Sequence, residues 1–156
     1  LEKAQKYLER GLQIQKDIGI QAMISAYYAH IGLIHLDLKE LDIAQEYFEK
    51  FLELSQKNNE KTIEGAAWIS LGRVLGKKGP SEFIKAEEYI MKGVKMVSEL
   101  KIRPHLSRGY LYLGDLYNQI GQKNEASKYL KKAEGMFKEM EMDYYIHKTQ
   151  DAFIRL

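Results

Sequence analysis

The sequence predicts an all-α fold in which helical hairpins stack side by side into a solenoid. Two observations carry this expectation. Small residues recur in register: Gly32, Gly72 and Gly114 are spaced by 40 and 42, and Ala4, Ala44, Ala86 and Ala126 by 40, 42 and 40. Internal repetition of this length is the mark of a repeat architecture. Around those positions apolar residues return at helical spacing, and only two prolines, Pro80 and Pro104, interrupt the 156 residues. A composition of 45% apolar and 29% charged residues supports an ordinary packed core rather than disorder.

The elements follow in order from start and stop signals. A first helix over about 2–16 ends near Asp17-Ile18-Gly19, where glycine suits a left-handed cap. Helices over about 21–38 and 42–57 form the first full hairpin, with Asp42 at an N-cap. The second spans about 61–78 and 81–99, turning through Lys78-Gly79-Pro80-Ser81. The third spans about 103–120 and 124–139, turning at Gly121 with Asn124 as N-cap. A last amphipathic helix, about 143–155, presents Tyr145, Ile146, Phe153 and Leu156 and lacks the repeat's glycine, so it is expected to cap the stack. The chain is read as one domain, 1–156: a half repeat over 1–19, repeats over 20–59, 60–101 and 102–141, and a capping helix over 142–156. Glycine on one helix and alanine on the next let antiparallel helices approach. The large residues beside them (Tyr28 and Phe48, Trp68 and Ile90, Tyr110 and Leu130) then interlock.

These residues resemble the tetratricopeptide repeat, whose signature is W-x2-L-G-x2-Y, then A-x3-F, then P, over about 34 residues. Trp68, Leu71 and Gly72 match its opening, and Tyr110, Leu113, Gly114, Tyr117, Gly121 and Ala126 match the rest. The resemblance covers nearly the whole chain and implies a right-handed α-α superhelix of about eight antiparallel helices. Two departures stand out: the closing proline is missing from every repeat, and the period is 40–42. Longer helices and longer inter-hairpin turns are expected to take up the difference. The pattern is similar to an extended variant found in bacterial signalling, scaffold and peptide-sensing proteins. The tail Glu139-Met140-Glu141-Met142-Asp143-Tyr144-Tyr145 also looks like the ends of repeat regions on bacterial proteins carrying cyclase or kinase and ATPase modules.

Catalytic and metal chemistry find no support in the sequence. Cysteine is absent, which removes disulfides and thiolate metal sites. His30 and His35 lie five residues apart, on different faces of a helix, and no HExxH occurs. His35, at the family's tyrosine position, is read as a hydrogen-bonded packing residue. The stretch Gly72-Arg73-Val74-Leu75-Gly76-Lys77-Lys78-Gly79 fails as a phosphate loop on spacing, on the missing Ser or Thr, and on its helical setting. Lys77 and Lys78 are expected to neutralise a helix C-terminus. Asp37, Glu40, Asp42, Glu87 and Glu88 are read as solvated carboxylates, and Lys85, Lys92 and Lys95 as a solvated outer face. No cofactor is implied and no enzyme is expected within the chain.

Net charge is +2; residues 73–103 carry 8 basic and 4 acidic side chains. A nucleic-acid binder is usually more basic and more clustered, so nucleic acid is not an expected partner. No apolar run reaches the length of a membrane span, no secretory signal is seen, and the cytoplasm is the default compartment. The chain opens on Leu1 and is read as a piece of a longer protein.

If the resemblance holds, function lies on the concave groove lined by the first helix of each hairpin. The family's groove positions fall here on Ala26, Ala29, Leu33 and Leu36, on Ala66, Ile69, Arg73 and Lys77, and on Arg108, Leu111, Tyr112, Asp115 and Asn118. A tetratricopeptide subclass grips C-terminal carboxylates with a Lys/Asn/Arg clamp. Ala29, Leu33 and Ser70 stand where its lysine and asparagines belong and only Arg108 keeps the chemistry, so no such clamp is expected. The asparagine that holds ligand backbone in extended repeats is replaced by His30, Ser70 and Tyr112. The resemblance implies a protein-interaction or intramolecular regulatory scaffold in a larger bacterial signalling protein, the alternative being a sensor of short signalling peptides. Partners are protein or peptide segments, with a weak homodimer through the half-repeat end as a further expectation.

Overall fold

A computed structural model describes residues 2–18 and 24–156. Among the described residues eight α-helices follow one another: α1 Glu2–Asp17, α2 Ile24–Asp37, α3 Leu41–Lys57, α4 Lys61–Lys78, α5 Phe83–Glu99, α6 Arg103–Gln119, α7 Lys123–Glu139 and α8 Asp143–Ile154. A 3₁₀ turn, Pro80–Glu82, precedes α5. The left-handed cap expected at Gly19 and the start expected at 21 lie outside the described residues.

Five of the connections share one three-residue geometry. The middle residue has positive φ, at Lys39 (63°), Asn59 (55°), Lys101 (57°), Gly121 (76°) and Glu141 (54°). The residue after it returns its N–H five positions, as from Glu40 to the His35 carbonyl (2.9 Å) and from Gln122 to that of Tyr117 (2.9 Å). This is the Schellman arrangement, which satisfies the last carbonyls of a helix and reverses the chain at once. It delivers the third turn residue directly as the N-cap of the next helix. Hence α3 starts behind Glu40 and α7 behind Gln122, neither with a side-chain cap bond. Asp42 and Asn124, expected as N-caps, lie instead in the first helical turn. Asp42 there meets Lys78 Nζ at 2.6 Å.

Short turns also correct the account of the long period. Helices of 17 or 18 residues from α3 to α7 carry the extra length, whereas those five turns hold three residues each. The step of 42 arises where α4 is one residue longer than α6 and where the following turn takes a fourth residue. In that turn Gly79 adopts φ 139° and Pro80 opens the 3₁₀ segment.

The glycine–alanine rule holds at atomic distance. A Cβ on Gly72 would lie 2.6 Å from the Ala86 carbonyl oxygen and 2.5 Å from Ile90 Cγ1. On Gly32 it would meet Phe48, and on Gly114 it would meet Leu130. Phe48, Ile90 and Leu130 therefore seat over the glycines, and Ala44, Ala86 and Ala126 are fully buried. Ala4 is exposed, since among the described residues no helix precedes α1. The aromatics Tyr28, Trp68 and Tyr110 pair with the neighbours of the seated residues: Tyr47 (6.2 Å), Tyr89 (4.8 Å) and Tyr129 (6.0 Å). A second close approach, Gly93 against the Gly65 carbonyl (2.4 Å from an added Cβ), locks the other end of the α4–α5 hairpin.

Contacts between hairpins separate the helices into two layers. First helices touch one another, α2 with α4, α4 with α6 and α6 with α8, whereas α3, α5 and α7 do not meet. The inner layer is therefore α2, α4, α6 and α8, and the closer spacing of that layer makes its face concave. Expected to cap the stack, α8 also takes the place of a fourth inner helix while Tyr145, Ile146, Phe153 and Leu156 pack on the core.

Candidate functional site

The inner layer opens into a groove that includes a cavity of about 220 Å³ between α2, α4 and α6. Its floor is apolar: Ala29 and Leu33 from α2, Ala66 and Ile69 from α4, and Phe51 from α3. Its rim is polar, with His30, Ser70, Arg73, His105, Arg108 and Tyr112. Ser70 donates its hydroxyl to the Ala66 carbonyl at 2.9 Å and is satisfied within its helix.

The cations at the rim are held by neutral groups. The Arg73 guanidinium lies over the Tyr112 ring, 4.5 Å from its centroid. Such stacking orients a guanidinium and leaves its edge donors free. Burial raises the Tyr112 phenol above its ordinary range, with Arg73 opposing the shift. Arg108 donates Nε–H to the Pro104 carbonyl at 3.1 Å and bonds His105 Nδ1. Burial, and secondarily the Arg108 charge, push the His105 imidazole down to about 4. At neutral pH His105 is therefore uncharged, and its Nδ1 is the acceptor.

Beyond Tyr112 the groove continues into a charged space of about 210 Å³, lined by Arg73, Lys77, Leu111, Tyr112, Asp115, Lys148, Asp151 and Arg155. Arg155 reaches Asp115 at 3.5 Å, and Asn118 Nδ2 donates to the Arg155 carbonyl at 3.2 Å. Burial raises the Asp115 carboxyl above its usual value, and Lys77, Arg155, Arg73 and Lys148 pull the other way.

Most residues expected on the groove are brought together there. Leu33, Ile69, Arg73, Arg108 and Tyr112 line the cavity, Lys77, Leu111 and Asp115 line its charged extension, and Asn118 lies in an adjoining hollow shared with Lys77 and Asp115. Leu36 does not belong with them. It is buried in the core with Ala44, Phe48, Leu71 and Val74, because its position, about 60° round α2 from Leu33, sets it over the seam between α3 and α4. Lys77 faces the groove rather than only a helix end, and Lys78 pairs with Asp42. Glu87, read as solvated, accepts the Tyr117 hydroxyl, and Glu40 accepts from His35 Nδ1 at 2.5 Å. That bond, and stacking on Tyr47 at 5.4 Å, make His35 the packing residue expected.

Sequence reasoning missed His105, Phe51 and the α8 contribution. His105 precedes Arg108 by one helical turn, and Lys148, Asp151 and Arg155 recur at helical spacing, so both signals were present. Phe51 comes from a second helix, outside the family's groove positions. Among the described residues no group of three His, Cys, Asp or Glu side chains forms a metal site, and no helix is long and apolar enough to cross a membrane.

Stacked glycine-keyed hairpins with a concave inner layer define a helical-repeat scaffold. Residues 25–58 and 107–139 each match the tetratricopeptide repeat model, so the chain carries tetratricopeptide repeats over those segments. Over 132 residues it is 26% identical to tetratricopeptide repeat protein 29 of Homo sapiens, covering 85% of this chain and 27% of that protein. The same figures hold for that protein of Macaca fascicularis. The chain thus spans about a quarter (27%) of the length of the curated relatives it matches. Aspartyl phosphate phosphatase F of Bacillus subtilis superposes with a TM-score of 0.73 at 17% identity, over 95% of this chain and 38% of that one. BtubC (BKLC) of P. vanneervenii superposes at 0.70 with 18% identity, over 90% and 57%. At those identities the likeness is one of fold. Residues 59–106, between the two matched segments, form the same hairpin with the Gly79-Pro80 insertion in its turn. The module is a protein-interaction scaffold built from such repeats.

Proposed function

We propose that the groove between α2, α4 and α6 is the working surface, and that it holds a polypeptide segment of a partner or of the same larger protein. The observation that carries this reading is the pairing of an open apolar floor with oriented rim donors in one cavity of about 220 Å³. Few convergent polar groups over apolar lining are what a recognition site requires. The surface residues are Leu33, Ile69, Arg73, Lys77, Arg108, Leu111, Tyr112, Asp115 and Asn118. Membership of a larger bacterial signalling protein is supported by the Glu139–Tyr145 tail alone, and the primate relatives add nothing to it. The second reading, capture of a short signalling peptide, uses the same cavity. A weak homodimer through α1 is supported by the exposure of Tyr7 (65%) and Ile14 (48%).

Crosslinking mass spectrometry in native extract compares wild type with an Arg73→Glu/Arg108→Glu/Tyr112→Ala variant. A protein or peptide captured by wild type alone supports the groove and names its occupant. Equal capture by both moves the site to the outer helices or the stack ends.

A further inference from the structure

The ion pairs among the described residues leave two half-buried guanidiniums unmatched. Arg103 and Arg155 find Glu139 and Asp115. Neither Arg73 nor Arg108 has a carboxylate within ion-pair distance and no Asp or Glu lines the cavity they share, although Asp115 and Asp151 line the charged extension that Arg73 also reaches. Arg73 rests on the Tyr112 ring, and Arg108 is held by two neutral acceptors, His105 Nδ1 and the Pro104 carbonyl. Partial burial of a cation without a counterion is unfavourable and is ordinarily relieved by an acid. Here the fold keeps a double positive charge facing an apolar floor.

We propose that Arg73 and Arg108 form a seat for a phosphoryl dianion carried on a side chain of the bound segment, its stem lying over Leu33, Phe51 and Ile69. The inference rests on the reading of the groove as the working surface. Three features select this chemistry. A phosphoryl monoester carries about −1.5 to −2 charges at pH 7 and neutralises both guanidiniums, whereas one carboxylate leaves one unmatched. The planar forks of two arginines match oxyanion geometry, and each has donors to spare beyond its present bonds. His105 adds no third charge at neutral pH. A phosphodiester of nucleic acid is a monoanion and has no stem for the apolar floor.

Arginine Nε–Hε resonances are followed by NMR while phenyl phosphate is titrated into the protein. The expected result is saturable, simultaneous shift of Arg73 and Arg108, tightening between pH 5 and 7.5 as the probe gains its second charge. Arg73→Gln and Arg108→Gln should each weaken binding by about tenfold, the value of one hydrogen bond to a charged group. Lys95→Gln, on the outer layer, should leave it unchanged. The other titratable or charged groups facing the seat are His30 on α2, Lys77 on α4, His105, Tyr112 and Asp115 on α6, and Tyr145, Lys148, Asp151 and Arg155 on α8. The pH response is therefore repeated in His30→Gln and Asp115→Asn and should persist in both. The spectrum itself reports whether each variant is folded. The proposal is overturned if phenyl phosphate moves neither arginine, if benzoate binds as tightly, or if oligothymidylate competes better than phenyl phosphate. A partner captured in the groove with equal efficiency after phosphatase treatment, and lost in the triple variant above, keeps the groove and removes the phosphoryl seat.

Discussion

Replacing Gly72 by alanine tests how closely α4 and α5 are keyed. An added Cβ would sit 2.5 Å from Ile90 Cγ1, 2.6 Å from the Ala86 carbonyl oxygen and 2.8 Å from the Ile90 nitrogen. Comfortable separation for such atoms is roughly 3.5 Å, and two of the three belong to backbone that no rotamer change can move. The helices must therefore part by most of an ångström along the seam that carries Ile90, Val94 and Val97. Overpacking of this kind costs about 1–3 kcal/mol, toward the upper end when backbone is struck, and alanine's helix propensity returns at most ~1 kcal/mol. A net loss near 2 kcal/mol lowers Tm by about 4–8 °C in a chain of this size. Gly135 supplies the control. It lies inside α7 with nothing within 4 Å of an added Cβ, so alanine there should gain ~1 kcal/mol and raise Tm by about 2–4 °C. Thermal unfolding followed by circular dichroism gives both values. Shifts of the same sign for the two variants would refute the keyed-seam argument.

Other consequences are as direct. Lys39, Lys101 and Glu141 hold positive φ without being glycine. Glycine at each should stabilise by roughly 0.5–1 kcal/mol, read as a raised urea midpoint, with Asn59→Gly gaining less because asparagine tolerates that conformation. His105 should titrate near 4 by NMR. Because its folded value lies below the ordinary one, the unfolded chain takes up the proton first, and stability falls as pH drops from about 6.5 toward 4. Arg108→Gln should raise the His105 value only in part, since burial is the larger cause. Asp115 has the opposite sign: its raised pKa means the fold disfavours the carboxylate. Asp115→Asn should therefore leave thermal stability at pH 7 unchanged or higher, and should strengthen phenyl phosphate binding by removing a competing charge.

How much was legible in the sequence follows from where the information lies. Helix extents were readable within a few residues because the apolar period and the glycine–alanine spacing both report local packing. The turns were less readable. Polar residues such as Asp42 and Asn124 look like caps, but the Schellman reversal fixes the entry residue, and charged Lys39, Lys101 and Glu141 give no sign of left-handed backbone. Within the groove, Arg73, Arg108 and Tyr112 were legible from repeat register. Leu36 was misplaced because an offset of about 60° round α2 from Leu33 is enough to pass from groove to core. Phe51 depends on tertiary contact between helices, to which a single repeat's pattern is blind. The helical spacing of His105 and of the α8 residues is legible, but only packing turns it toward the groove.

The central claim is that the inner layer, not the outer one, meets the partner. A photoreactive benzoylphenylalanine placed at Ser70, on the rim of the cavity, is compared with one at Glu88, exposed on α5. A discrete crosslinked partner is expected from position 70 in native extract, lost when Arg73 and Arg108 are both replaced by glutamate, and none from position 88. Capture from position 88 with silence at position 70 would contradict that claim.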